Sequence, residues 1–551
     1  MSQSITFRQA ALVVLFLAGV QFTLQVSLLA RGMEYVAVSL AIDDTYYYLQ
    51  SAWNTKQLGF VTFDGLHATN GVQLLWFAII LLLALLAKTK TALLLATLAV
   101  TFLLNGLCYL IILKIGAVLK QPILVLFMAG LWSLQSLPFR IYSMGMENSL
   151  HALVFWCVIW QVIVFLVRVQ NRDKPNFWGL TAVLILNAWT RLDSALLSVI
   201  LYAFCVVILA STYRNNFRLF LQQHIKVIAG STLLAGFGLF IQLGAFRLMG
   251  DSLLPVSALV KTSGASRGFS PESLDKLVEV FLLGMPAILQ GRFPAPVLVL
   301  LGILGIFLVI GAQVTIRNQP NVGQDSFLPN VGQDSFLPKE LMALLNLWTC
   351  LLVAEIIYHV YVAASGVQYT PYFIWYRSPS FIFWIITASL VAHFAFGTVR
   401  LAGHFAKVFK WAPVAFSLLI FAVAVYMFAR SINFTSELYS ARYKAALWIA
   451  ENSSPDTIFA AWNTGQLGFF SNRTFINLDG VINDVDYYER VLRGSISLKD
   501  YLFENNVDYL VDYTTYASIP DYPVVRAFPI NDESGRSIQI WQVLPELSTA
   551  K

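Results

Sequence analysis

The chain has 551 residues, of which 58% are hydrophobic and only 12% are Asp, Glu, Lys or Arg, and its formal net charge is +6. This composition excludes an ordinary soluble domain, in which about 25% of the residues are charged. It predicts a polytopic membrane protein surrounded by membrane lipids, and we expect no nucleic-acid partner.

Apolar segments recur from residue 9 to about residue 430, and a membrane-spanning helix needs about 20 such residues. The first segment, 9–30, lacks a good signal-peptide cleavage site and is predicted to be an uncleaved span. About 11 to 13 spans are expected in residues 1–430. The four cysteines lie in apolar segments and are predicted to be packing residues rather than metal ligands or disulfides; they are Cys108, Cys157, Cys205 and Cys350.

Basic clusters in short loops predict orientation, because such clusters stay in the cytoplasm. Lys88 and Lys90 are therefore predicted to be cytoplasmic, whereas the loop 32–70 and residues 431–551 are predicted to lie outside. The loop 138–147 is also predicted to lie outside, so the three apolar segments between it and the loop 32–70 must make an even number of crossings, and one of them is expected to be re-entrant or interfacial. These segments are 71–87, 91–113 and 121–137.

The first outer loop contains two adjacent carboxylates, Asp43 and Asp44, followed by three tyrosines. An Asp at the start of a helix can cap its amides, which stabilises by about 1 kcal/mol, but capping accounts for only one of the pair. Adjacent helical residues point about 100° apart, so the second carboxylate is aimed elsewhere. A carboxylate at the membrane edge can deprotonate an alcohol. The residues alone leave capping and catalysis both open.

The apolar stretch 178–211 is too long for one span and is interrupted by "WTRLDS". A turn near Arg191 is predicted there, which places Arg191 and Asp193 at or below the outer surface. A charge in apolar surroundings needs a partner or a cavity. Asp193 is not expected to be that partner, because residues two apart in a helix do not face each other.

The segment 317–339 contains a perfect tandem repeat, "PNVGQDSFL", and is predicted to be a cytoplasmic linker without a catalytic role. Residues 431–551 carry nine Lys and Arg against fifteen Asp and Glu. A helical pattern at 437–453 precedes the strand-like "TIFAAW", "TFINLDG" and "VDYLVDY", with "NTGQLGFF" predicted as a turn and a polar helix before the last strand. These signals predict a small α/β domain.

The order of the motifs is more specific than any one of them. "DDTYYY", "TFDG" and "TNG" before a span, followed by "GMEN" at 145–148 and "TRLD" at 190–193, resembles the GT-C membrane glycosyltransferases. The resemblance is to the bacterial and archaeal branch that uses polyprenyl-phosphate sugars, related to protein mannosyltransferases and aminoarabinose and arabinofuranosyl transferases. "WNTGQLGFFSNRTFINLDGVIN" at 462–483 resembles the extracytoplasmic domain of that branch. "TNGVQLLW" departs from the commoner T-N-G-[YF]-H-P-L-W, which leaves the role of that His and Pro without a match.

The resemblance implies an all-α polytopic membrane protein with the GT-C fold and a C-terminal extracytoplasmic α/β domain. A first-loop carboxylate would be the general base on the acceptor hydroxyl; Asp43 and Asp44 occupy that place, and Asp44 is favoured. Glu147 matches the second acidic residue that shapes the family's cavity. A lipid phosphate needs outer cations, for which the candidates are Arg191, Lys261, Arg292 and Arg377. The other candidates for substrate binding are Tyr47, Asp64, His67, Asn70 and Asp193.

The implied activity is inverting transfer of a sugar from a polyprenyl-phosphate donor to a glycan, lipid or protein acceptor, on the outer face of a bacterial cytoplasmic membrane. No cofactor is expected, because a lipid phosphate can leave beside fixed cations, although the carboxylates leave a divalent metal open. Two other classes remain possible. One is a lipid-linked sugar flippase or transporter, in which Arg191 and Asp193 line a pathway. The other is a catalytically inactive scaffold for polysaccharide assembly.

Overall fold

The structure of the protein is a computed structural model that describes residues 5–138, 142–263, 295–318, 339–364, 378–398, 409–433, 435–513, 522–531 and 535–543. Helices dominate up to residue 431, where long runs of Leu, Ile, Val, Phe and Ala satisfy their backbone groups within each helix. In chain order they are α1 (Phe7–Ser27), α2 (Asp43–Leu58), α3 (Leu74–Leu86), α4 (Lys90–Leu119), α5 (Pro122–Ser136), α6 (Asn148–Gln170), α7 (Phe177–Thr190), α8 (Ser194–Ser211), α9 (Phe217–Gly250), α10 (Val256–Ser263), α11 (Ala295–Asn318), α12 (Lys339–Ala364), α13 (Ser378–Thr398) and α14 (Ala412–Ser431).

Within the described residues, eight helices are long and apolar enough to cross a membrane, and four shorter apolar helices accompany them. The protein is therefore a multi-pass membrane protein. The shorter ones include α3, which has 13 residues, against 30 in α4. The two ends of α3 lie on one face, as shown below, so it does not cross; the predicted total of 11 to 13 spans stays a prediction.

Both ends of α3 lie on the face of the helical bundle that carries residues 435–543, here called the C-terminal face. At its start, the Thr69 hydroxyl donates to the Asn483 carbonyl at 2.8 Å. At its end, the Lys90 ammonium donates to the Phe469 carbonyl at 3.1 Å. The predicted re-entrant segment is therefore α3. The placement of Lys88 and Lys90 on the opposite face was wrong, because α3 returns the chain to the side on which it began.

The chain between α7 and α8 turns where the sequence predicts. Helix α7 ends at Thr190, Arg191 has an extended backbone with φ −155° and ψ 123°, and α8 begins at Ser194. On the face opposite the C-terminal face, Lys120 at the end of α4 pairs with Glu340 at the start of α12 at 2.7 Å. These contacts fix the direction of the helices relative to the C-terminal residues.

The C-terminal residues form a five-stranded sheet with helices on both of its faces. Strands β1 and β2 and strands β1 and β3 are parallel, whereas β5 is antiparallel to both β3 and β4, in the order β2-β1-β3-β5-β4. The segment predicted to be a turn, 463–470, is mostly helical, because it connects two parallel strands and must cross over the sheet. The elements are α15 (Glu437–Asn452), β1 (Ile458–Ala461), α16 (Gly465–Ser471), β2 (Thr474–Asn477), α17 (Leu498–Glu504), β3 (Tyr509–Tyr513), β4 (Val524–Pro529) and β5 (Ser537–Gln542).

One face of this sheet shares its core with the membrane region. Alternating residues of β1 point to opposite faces, so Phe459 joins the cluster that contains Leu49 of α2 and Leu93 of α4, whereas Ala460 packs against α17. Helix α15 contributes Ala445 to the same shared cluster. The C-terminal sheet is thus seated on α2 by apolar packing, which places its loops beside the first outer loop.

The tandem repeat at 320–337 lies outside the described residues, as do Arg292 and Arg377.

Candidate active site

A pocket lies between the membrane helices and the C-terminal sheet. Its walls come from α2, the start of α3, the segment before α6, the α7–α8 turn, α10 and the loop after β2. The residues that line it are Asp44, Tyr47, Tyr48, Gly71, Val72, Gln73, Met146, Glu147, Arg191, Ser257, Lys261, Val481 and Ile482. Five of the predicted site residues line this pocket: Asp44, Tyr47, Glu147, Arg191 and Lys261. A sixth, Asp193, contacts Arg191 directly.

Asp44 presents its carboxylate to this pocket. It is only partly buried, and no hydrogen bond to its side chain is found among the described residues. Burial raises the pKa of Asp44 to about 6; the positive charge of Lys261 lowers it, and the negative charges of Asp43 and Glu147 raise it. The carboxylate is consequently poised to exchange a proton close to neutral pH.

Asp43 faces away from the pocket and caps another helix. Its carboxylate accepts hydrogen bonds from the backbone amides of Gly465 at 3.2 Å and Gln466 at 2.9 Å, at the start of α16. Its own helix has Ile42 at the N-cap position and no side-chain cap. Of the two alternatives that the residues left open, capping of α2 therefore does not occur, because Asp43 binds the free amides of α16 in the C-terminal sheet domain.

Glu147 and Arg191 form a buried ion pair at the floor of the pocket. Arg191 donates to Glu147 Oε1 at 2.6 Å, and both side chains are almost fully buried. Arg191 also donates to Asp193 at 3.1 Å. The sequence-based exclusion of Asp193 was wrong, since the extended backbone at Arg191 removes the helical geometry on which it rested. Tyr48 completes the cluster by donating to Glu147 Oε2 at 3.2 Å.

The segment before α6 is tied to the first outer loop, which explains why Glu147 lies near Asp44. The Thr45 hydroxyl donates to the Met144 carbonyl at 2.6 Å. The Trp76 indole donates to the Gly145 carbonyl at 3.2 Å. Gly145 has φ +88°, a conformation that suits glycine. These bonds hold the two acidic segments at a fixed separation.

A Tyr47–Asp479 contact joins the pocket to the C-terminal sheet. The Tyr47 phenol donates to Asp479 Oδ2 at 3.1 Å, and Asp479 Oδ1 accepts from the Val481 amide at 2.8 Å. Burial raises the pKa of Asp479 to about 7, with Asp44 adding to the rise and the Val481 amide opposing it. Asp479 was not among the predicted site residues, although it lies within the "FINLDGVIN" segment. Its signal is an acidic residue in the loop that directly follows a parallel strand.

Comparisons with known proteins were made for the sequence and for the fold. No curated protein matches the sequence. Residues 432–544 match a family described as a domain of unknown function, DUF8728. The crystal structure of ArnT from Cupriavidus metallidurans bound to undecaprenyl phosphate matches 98% of this chain and 99% of its own, with a TM-score of 0.53 and 11% identity. The chain has the GT-C fold.

Two other structures match with lower scores. ArnT in the apo state has a TM-score of 0.35 and 13% identity, over 98% of this chain and 99% of its own. The archaeal oligosaccharyltransferase AglB from Archaeoglobus fulgidus, in complex with an inhibitory peptide and a dolichol-phosphate, has a TM-score of 0.45 and 12% identity. That match covers 90% of this chain and 69% of AglB.

Three further predicted site residues, Asp64, His67 and Asn70, lie outside the pocket lining and make contacts that hold the fold. Asp64 accepts from the ring of His67 at 2.7 Å and from the Leu66 amide at 2.8 Å. The hydrogen bond to Asp64 raises the pKa of His67 to about 9. The Asn70 side chain donates to the Ser252 carbonyl at 3.0 Å and accepts from the Val256 amide at 2.8 Å. Asn70 therefore fixes the start of α10, the helix that carries Lys261.

No cluster of three or more His, Cys, Asp or Glu side chains suited to a metal ion is present among the described residues.

Proposed function

We propose that this protein is an integral membrane glycosyltransferase that moves a sugar from a polyprenyl phosphate to an acceptor hydroxyl, with Asp44 as the general base. The observation that carries the proposal is the Asp44 carboxylate, which lines the pocket on a helix outside the membrane spans, beside Lys261. The shared fold supports the same class of donor, since the matched structure of ArnT is bound to undecaprenyl phosphate.

The reaction is a single displacement. Asp44 accepts the proton of the acceptor hydroxyl while the acceptor oxygen forms a bond to C1 of the sugar. The bond from C1 to the phosphate oxygen breaks, and its electron pair leaves with the polyprenyl phosphate. One in-line displacement inverts the anomeric centre. Because the pKa of Asp44 is raised to about 6, the ionised base still accepts a proton readily at neutral pH.

Cations at the pocket stabilise the charge that grows on the leaving phosphate. Lys261 on α10 and Arg191 at the α7–α8 turn are the described cations that line it. Glu147 and Asp193 hold the guanidinium of Arg191 in place, which lowers the cost of its burial. Arg292 and Arg377 remain further proposed donor-binding residues.

The remaining parts of the proposal concern surroundings and cofactors. The protein acts without a cofactor, because the lipid phosphate leaves against protein cations. It resides in a bacterial cytoplasmic membrane with the pocket and the C-terminal sheet outside, as the basic cluster Arg168, Arg172 and Lys174 at the far end of α6 favours. The same assay performed with a chelator tests metal independence, and loss of transfer that Mg²⁺ or Mn²⁺ restores would replace this part of the proposal.

The decisive experiment compares two neighbouring isosteric changes. Purified wild type, Asp44→Asn and Asp43→Asn are incubated with a panel of radiolabelled polyprenyl-phosphate sugars and acceptors. We expect Asp44→Asn to reduce transfer at least a hundredfold, since a general base contributes about 10²- to 10⁴-fold. We expect Asp43→Asn to retain measurable turnover, because Asn can still cap α16. The control is Asp486→Asn, an exposed carboxylate that does not line the pocket.

The outcomes separate the rival functions. Consumption of a donor that is unaffected by Asp44→Asn would remove Asp44 as the base. Movement of a lipid-linked sugar across vesicles without transfer, equal in wild type and Asp44→Asn, would identify a flippase or transporter. Donor consumption only when a second protein is added would favour the assembly scaffold.

A further inference from the structure

The loop that follows β2, residues 478–483, is held at both ends by side-chain hydrogen bonds. The Asn477 side chain accepts from the Gly480 amide at 2.9 Å. The Asn483 side chain donates back to the Asn477 carbonyl at 2.6 Å, and the Asn483 carbonyl accepts from Thr69. The loop 478–483 is therefore fixed both to the sheet and to the first outer loop, and it presents Val481 to the pocket.

The phenol of Tyr47 is held between this loop and the pocket. Its proton is donated to Asp479 at 3.1 Å, and the Asn477 amide donates to its oxygen at 3.4 Å. When the phenol proton is donated to ionised Asp479, the Tyr47 oxygen acts toward a ligand as a hydrogen-bond acceptor. Asp479 thus sets the polarity of a pocket-lining group without itself lining the pocket.

The polar groups along this side of the pocket share that polarity. The Asp44 carboxylate is an acceptor when ionised, and Tyr47 is an acceptor by virtue of Asp479. These two neighbouring acceptors suit a ligand that offers more than one donor. A ligand with a single hydroxyl would give it to Asp44 and would offer no second donor to Tyr47. A polyhydroxylated acceptor satisfies both.

We propose that the acceptor is a glycan, that Tyr47 accepts a hydrogen bond from a second acceptor hydroxyl beside the one that Asp44 deprotonates, and that Asp479 is the positioning residue that orients Tyr47. This inference rests on the proposed glycosyl transfer and concerns only its acceptor. Through the loop 478–483, the C-terminal sheet domain becomes part of the acceptor site.

The test separates acceptor binding from donor chemistry. With the donor found in the panel, three rates are measured for each variant: transfer to a short oligosaccharide, transfer to a Ser/Thr peptide, and hydrolysis of the donor by water. We expect Tyr47→Phe and Asp479→Asn to raise KM for the oligosaccharide about tenfold, which is the effect of one lost hydrogen bond. We expect KM for the donor and the hydrolysis rate to change less than twofold.

The matched control is Tyr46→Phe, on the same helix. Its phenol donates to the Ala37 carbonyl at 2.9 Å and does not line the pocket, so we expect unchanged kinetics. An unchanged KM for the oligosaccharide in Tyr47→Phe overturns the inference even if Asp479→Asn does not fold. Transfer to the peptide but not to the oligosaccharide overturns the glycan assignment and leaves the proposed function standing. Absence of donor consumption by wild type counts against both.

Discussion

Asp43 and Asp44 are adjacent in the chain but have different partners. Asp43 binds two amides of α16, whereas Asp44 meets the pocket and the charge of Lys261. This division follows from helical geometry, because consecutive side chains diverge by about 100° and only one can face the pocket. The two adjacent residues therefore have different roles: Asp43 links α2 to α16, and Asp44 is the proposed base in the pocket.

The charge of Lys261 should be visible in the pH dependence of kcat/KM. Ionised Asp44 is the active form, so activity should rise with pH through an apparent pKa of about 6. Lys261→Ala removes the cation that lowers this pKa, and we expect the acidic limb to move to higher pH. Lys261→Arg keeps the charge and should keep the limb near its wild-type position. A limb that stays in place in Lys261→Ala would contradict the electrostatic coupling.

The sequence predicted the acidic pair and Glu147 and favoured Asp44, but no local pattern decides which Asp faces the pocket. That choice depends on amides that lie 422 residues further along the chain, and local pattern carries no information about them. The exclusion of Asp193 as a partner of Arg191 assumed a continuous helix. The extended backbone at Arg191 is a tertiary feature that periodicity does not reveal. Asp479 was missed because a single carboxylate in a loop is common.

At the scale of elements, α3 has the composition of a span but the position of a re-entrant helix. Its 13 residues give about 20 Å at 1.5 Å per residue, less than the hydrocarbon thickness of about 30 Å. Hydropathy identified the apolar helices of the bundle correctly. It did not identify which of three consecutive segments fails to cross, because the deciding contacts are made with the C-terminal sheet domain.

The position of α3 predicts which side of the membrane Lys88 faces. In sealed vesicles, a membrane-impermeant maleimide should label Lys88→Cys from the same side as Glu451→Cys, an exposed position at the end of α15. Lys120→Cys, on the far end of α4, should be labelled from the opposite side. Wild type provides the background from the four native cysteines. Labelling of Lys88→Cys together with Lys120→Cys would contradict the re-entrant position of α3.

At the scale of the whole molecule, the sheet domain and the membrane region meet along a close backbone contact. A Cβ on Gly465 would collide with the Asp43 carbonyl. The clusters of apolar residues on α2, α4, α15 and β1 form one continuous core around this contact. The sequence predicted the existence of the C-terminal α/β domain, but not that its core is shared with the first outer loop, nor its last two strands.

Gly465→Ala should disturb this contact. We expect a loss of stability of about 1 to 3 kcal/mol, typical of overpacking, and a marked fall in transfer, because Asp43 and hence Asp44 are displaced. The midpoint of thermal unfolding in detergent and the transfer rate measure the two effects. Gly106→Ala, where an added Cβ meets nothing within 4 Å, is the control and should be neutral. Equal behaviour of the two variants would contradict the role of the contact.

The shared core also has a consequence during synthesis. Helix α2 emerges from the ribosome hundreds of residues before α16. The α16 amides that bind Asp43 are therefore not yet made while nearly the whole bundle is inserted. A chain that stops before residue 465 carries the proposed base but lacks the amides that orient its neighbour and the loop that holds Tyr47. The newly made protein would therefore be unable to act on donor lipid by the proposed mechanism until the C-terminal sheet domain has docked on α2.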